Sequence, residues 1–79
     1  MKYSGLGNYG RPRQEYLDIL SSLSDDDLLK KCSDMVWLSG YAGNNPRSDY
    51  HWQADACYDE CVKRSRQDIF EMAIARSRS

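Results

Sequence analysis

The stretch Leu23-Ser24-Asp25-Asp26-Asp27-Leu28-Leu29-Lys30-Lys31-Cys32-Ser33-Asp34-Met35-Val36 decides the fold class. Ser24 is placed to accept from the backbone N–H three residues on, and three carboxylates follow where the positive end of a helix dipole favours them. Ser24 and Asp27 form a capping box with Asp in place of the usual Glu, and Leu23 and Leu28 fall at hydrophobic-staple positions. Behind this start, Leu28, Cys32, Met35, Val36 and Ser39 lie on one helical stripe, widened by Leu29 and Leu38. The pattern predicts a long helix ending at Gly40 or Gly43, since glycine favours the left-handed C-cap geometry.

Upstream, residues 1–12 hold Gly5, Gly7, Gly10 and Pro12 and little to bury, which predicts a flexible N-terminal arm. Tyr16, Leu17, Leu20 and Leu23 then recur at helical spacing, which predicts a first helix over 13–23. Downstream, residues 43–49 (Gly-Asn-Asn-Pro-Arg-Ser-Asp) have loop composition. Ser48 or Asp49 caps a third helix with Tyr50, Ala54, Cys57, Tyr58, Cys61 and Ser65 on its apolar face. Gln53, Asp55, Asp59, Glu60 and Lys63 form the opposite face. Ser65 stands three before Asp68 and ahead of Ile69, Phe70, Ala73 and Ile74. Either a fourth helix starts near 67 or the third continues with a kink, and residues 76–79 fray. The expectation is one all-α domain over residues 13–79, a compact three- to four-helix bundle with its second and third helices antiparallel.

Seventy-nine residues supply one small core. Such scaffolds often add a metal, disulfides or a second subunit, and the surplus aromatics point to a homodimer. The three cysteines are an odd number for a disulfide framework and read as reduced thiols in a cytoplasmic protein. No apolar run has the length of a leader or a membrane span.

Charge is unevenly spread. Residues 14–61 hold ten acids against Lys30, Lys31 and Arg47, net −7, while residues 62–79 are net +3. An acidic body with basic ends suits docking on electropositive surfaces. The acids Asp55, Asp59 and Glu60 on the third helix argue against direct nucleic-acid binding, leaving Lys63, Arg64, Arg66, Arg76 and Arg78 as a tail able to touch phosphate.

Two chemical sites are weak by pattern. Cys32, His51, Cys57 and Cys61 are the zinc ligands to test if zinc is ever found, but no C-x-x-C knuckle is present and no metal or cofactor is expected. His51 and Cys57 point about 120° apart on one helix, at ~100° per residue, which opposes a Cys–His nucleophile. No enzyme active site emerges. The concentration of Trp37, Tyr41, Tyr50, His51 and Trp52 around Asn44, Asn45 and Arg47 is the best candidate for partner binding, since Trp, Tyr and Arg dominate hot spots. Arg11 and Arg13 on the arm side extend it. The competing reading is that these aromatics fill the core.

The run Trp37-Leu38-Ser39-Gly40-Tyr41-Ala42-Gly43-Asn44-Asn45-Pro46-Arg47-Ser48-Asp49-Tyr50-His51-Trp52, with Ala56-Cys57-Tyr58-Asp59-Glu60-Cys61 after it, resembles small proteins encoded by tailed bacteriophages. Their style is similar to that of inhibitors of host defence such as anti-CRISPR proteins, a class without a shared motif. The resemblance implies a steric inhibitor that binds a host protein or ribonucleoprotein complex in the bacterial cytoplasm. A small-ligand binder that sequesters a nucleotide signal, with Arg11, Arg13 or Arg47 on its phosphates, is the alternative. A structural or regulatory phage protein is the third.

Overall fold

The computed structural model has four helices among the described residues: α1 (Arg13–Ser21), α2 (Asp25–Tyr41), α3 (Asp49–Lys63) and α4 (Gln67–Ser77). The structure describes residues 5, 10, 12–45 and 48–78 and contains no strand among them. Most of the expected N-terminal arm, Arg11 included, and Arg47 of the loop lie outside the described residues.

The caps form as the sequence requires at two starts. Ser24 Oγ accepts from the Asp27 amide at 3.2 Å, and Ser48 Oγ accepts from the Tyr50 amide at 3.2 Å. Leu28 is fully buried, and Leu23 is partly buried against the core to which Leu28 belongs. Other boundaries depart from expectation. α1 stops at Ser21, where Ser22 Oγ donates to the Ile19 carbonyl at 2.7 Å and competes with the helix ladder. α2 ends at Tyr41, and neither Gly40 nor Gly43 enters the left-handed region. Between α3 and α4 it is Ser65 that takes the left-handed turn, at φ 57°. Ser65 therefore neither joins the apolar face nor caps α4, whose N-cap is Arg66. The fourth helix is separate, and it stays helical through Ser77 rather than fraying from 76.

Pairings along the helices fix their directions. On α2, Asp25 meets Arg64, Cys32 meets Cys61 and Ser39 meets His51, so α3 runs antiparallel to α2. On α1, Arg13 meets Trp52, Tyr16 meets Cys57 and Leu20 meets Arg64, so α1 runs parallel to α3. α4 starts beside Asp25 through Arg66 and ends beside Trp37 and Gly40 through Ser77. The chain is an up-down-up-down bundle in which α2 packs against both α3 and α4.

The core is Leu20, Leu28, Cys32, Met35, Ala56, Cys57, Cys61, Ile69 and Ala73. Small side chains at Cys32, Ala56, Cys57, Cys61 and Ala73 let the helices approach closely, and each buried methylene contributes ~0.8 kcal/mol. Three expected core positions fall elsewhere. Val36 is only partly buried, and Tyr50 and Tyr58 are exposed. Tyr58 instead sets its ring edge-on to Phe70 at 5.2 Å, linking α3 to α4 from outside. Conversely Glu60, expected on the polar face, is 9% exposed and bonds Arg64 Nε at 2.8 Å.

Candidate functional site

The helix directions bring the C-terminal ends of α2 and α4 and the N-terminal ends of α1 and α3 to one end of the bundle. Tyr41, Asn44, Asn45, Tyr50, His51, Trp52 and Arg13 all lie there, but they divide into three structures with different roles.

The first is a joint. Trp52 meets Tyr16 edge-to-face at 5.4 Å, and the Arg13 guanidinium lies 5.2 Å from the Trp52 ring centre. Trp52 Nε1 donates to Asp49 Oδ1 at 2.8 Å. Tyr16 in turn has Lys31 Nζ 5.5 Å from its ring centre. Trp52 and Arg13, both candidate partner-binding residues, join α1 to α3 through these contacts.

The second is a staple. His51 Nε2 lies 3.1 Å from the Ala42 carbonyl and 2.9 Å from the Asn45 carbonyl. Two acceptors fix the proton on Nε2, so Nδ1 accepts from the Ser39 hydroxyl at 2.8 Å. His51 thereby pins the end of α2 and the following turn to the start of α3. Its ring is committed there and joins neither a thiol nor a ligand set with the cysteines.

The third is a shelf. The rings of Trp37 and Tyr41 stack nearly parallel, 9° apart with centroids 5.5 Å apart, while remaining 54% and 79% exposed. An open slot runs beside them, lined by Val36, Gly40 and Ser77. Residues 35–41 carry no charged side chain. Asn44 and Asn45 are exposed beyond them, and Tyr50 is 37% exposed. Of the aromatics in the candidate stretch, Trp37, Tyr41 and Tyr50 are the ones that face solvent. Val36, Gly40 and Ser77 were missed in the sequence because nothing before the fold places the end of α4 against α2.

The cysteines gather in the core, all with no exposed surface. Cys32 Sγ lies 3.8 Å from Cys61 Sγ, and Tyr16 Oη lies 4.0 Å from Cys57 Sγ. The hydrogen bond with Cys57, and then burial, push the Cys32 thiol up, and burial pushes Cys61 up. The bond from Cys32 lowers Cys57. Among the described residues no group of three or more His, Cys, Asp or Glu side chains is arranged to hold a metal ion. No described helix is long and apolar enough to cross a membrane.

At the opposite end, Arg64 and Arg66 form a hub rather than a phosphate-touching tail. Arg64 bonds Glu60, Asp25 and the Leu20 and Leu23 carbonyls, and Arg66 bonds Asp25 and Asp68.

Comparison with protein-family models, with curated proteins and with solved structures yields no match for this chain.

Proposed function

We propose that this chain is a non-enzymatic binding protein, a phage-encoded inhibitor that obstructs a bacterial defence complex of the CRISPR type. The observation that carries the binding reading is the Trp37–Tyr41 pair, stacked and exposed on turns of α2 that bear no charge. Large aromatics held rigidly in solvent gain most from burial against a partner, and they head the list of hot-spot residues. Tyr50, Asn44 and Asn45 are exposed at the same end of the bundle. The defence target rests on the resemblance of residues 37–52 and 56–61 to small phage proteins.

The acidic first turn of α2 lies at the other end of the bundle, tied in part to Arg64 and Arg66. In this reading the anchor is aromatic, and the acids steer encounter with an electropositive partner. The test is plating efficiency of a targeted phage on bacteria with an active CRISPR-type system, with and without the chain. Rescue of plating that is lost in Trp37→Ala/Tyr41→Ala, with the helical spectrum intact, is the expected result. Unchanged plating against every CRISPR type tried removes the proposal.

A further inference from the structure

Three free thiols meet in the core, none with exposed surface. Cys32 comes from the middle of α2, and Cys57 and Cys61 come from successive turns of α3. Cys32 Sγ and Cys61 Sγ lie 3.8 Å apart across the contact of the two helices. A disulfide needs roughly 2.05 Å, so these sulfurs must close by about 1.8 Å between them. Two short side chains share that movement.

The other pairings are less well placed. Cys57 and Cys61 stand four apart on one helix, where Cβ atoms are about 5–6 Å from each other. A disulfide takes Cβ atoms roughly 3.5–4.5 Å apart. Cys57 hydrogen-bonds with Cys32, but its sulfur also lies 4.0 Å from Tyr16 Oη, which draws it towards α1.

We infer that Cys32 and Cys61 form a reversible disulfide that locks α2, the helix bearing Trp37 and Tyr41, to α3, while Cys57 stays a free thiol. The oxidant is a small-molecule disulfide, R–S–S–R. In the closed fold the bond with Cys57 and then burial hold Cys32 above its ordinary value, and burial raises Cys61. Reaction therefore starts from a locally opened state, in which the thiols regain ordinary acidity. One of the two thiols loses its proton, and its thiolate attacks one sulfur of R–S–S–R. A protein–S–S–R bond forms, the R–S–S–R bond breaks and R–S⁻ leaves. Neither cysteine has exposed surface in the closed fold, so the core has no room for the adduct. Reclosing brings the second cysteine, as its thiolate, against the adducted cysteine sulfur. The Cys32–Cys61 bond forms and a second R–S⁻ leaves. The two R–S⁻ take up the two protons released. The cysteines are oxidised, and R–S–S–R is reduced to two R–SH. The inference does not depend on the proposed inhibitor role, since thiol mapping tests one and phage plating the other.

The experiment equilibrates the full native chain with excess oxidised glutathione, alkylates the remaining thiols in denaturant and maps the peptides by mass. The expected product has Cys32 linked to Cys61, Cys57 alkylated and the helical spectrum unchanged. Its melting temperature rises by roughly 10 °C, because the bridge closes a long loop in the unfolded chain. Dithiothreitol returns three alkylated cysteines. Cys57→Ala keeps the bridge and Cys61→Ala forms none. The mapping uses the parent chain, so the inference can fail without either variant. It is overturned by three alkylated cysteines after oxidation, by glutathione adducts that do not resolve, or by a link through Cys57. A bridged chain that has lost its helical spectrum, or that melts no higher than the reduced one, overturns it equally.

Discussion

Arg64 donates from Nη2 to the carbonyl of Leu23 at 2.8 Å, so the last turn of α3 is tied to the linker between α1 and α2. The same nitrogen serves the Leu20 carbonyl at 3.0 Å, and the other two guanidinium nitrogens serve Asp25 and Glu60. One planar fork thus satisfies a carbonyl at the end of α1, a carbonyl of the linker and a carboxylate that is 9% exposed. Arg64→Ala leaves Glu60 without this partner, and the expected loss is about 3 kcal/mol of unfolding free energy. Arg64→Lys recovers less than half, because an ammonium cannot span four acceptors. Urea unfolding measures both, and an Arg64→Ala midpoint equal to that of the parent removes the hub.

The two tryptophans should behave oppositely. Trp52→Ala breaks the ring contact with Tyr16, the Arg13 stack and the bond to Asp49, and costs about 3 kcal/mol. Trp37→Ala, more than half exposed, stays within about 0.5 kcal/mol of the parent. Thermal melts of the two variants decide it, and equal losses would mean that the shelf is part of the core.

These differences show what the sequence makes legible. Caps at Ser24 and Ser48 and the stripe Leu28, Cys32, Met35 are local features, and they form as read. Arg64 was indistinguishable from the other bases near the C-terminus, because three of its four partners lie 39 to 44 residues away. Trp37 and Trp52 both sit in a ring-rich stretch. Only the placement of α1 against α3 decides that one is a joint and the other a shelf. The stapling role of His51 was not visible until the turn after α2 folded back onto it.

High pH should destabilise the fold. Burial pushes the Tyr16 phenol well above its ordinary value, and burial also raises Cys61. Cys32 is raised as well, while Cys57 is lowered and opposes the trend. A raised group keeps in the fold a proton that the unfolded chain releases. Its contribution is therefore complete below the unfolded pKa and is lost as pH rises towards the folded one. Melting temperature should hold to roughly pH 8.5 and fall beyond it, more steeply above ~10 as unfolded tyrosine ionises. Tyr16→Phe should flatten the steeper part, and a wild-type profile level into that range contradicts the burial account.

The His51 staple predicts local rather than global loss. His51→Ala frees the Ala42 and Asn45 carbonyls and the Ser39 hydroxyl, at about 1–2 kcal/mol. Limited proteolysis should then cut within residues 42–48 while α1 and α4 stay protected. His51→Gln restores one of the bonds and part of the protection. Cleavage spread evenly over the chain would show that the staple holds the whole bundle.

The two glycines after Ser39 give a prediction of opposite sign from neighbouring positions. A Cβ at Gly40 enters open space, whereas one at Gly43 comes 3.2 Å from the Gly40 carbonyl oxygen. That oxygen already accepts from the Gly43 amide at 3.2 Å in the turn that closes α2, so it has little room to move. Gly40→Ala should therefore raise stability by about 0.5–1 kcal/mol through helix propensity alone. Gly43→Ala should gain nothing or lose, since crowding at the turn offsets the smaller entropy of the unfolded chain. Urea midpoints of the two single variants measure the contrast. A destabilised Gly40→Ala would mean that the last turns of α2 need glycine for the fold itself.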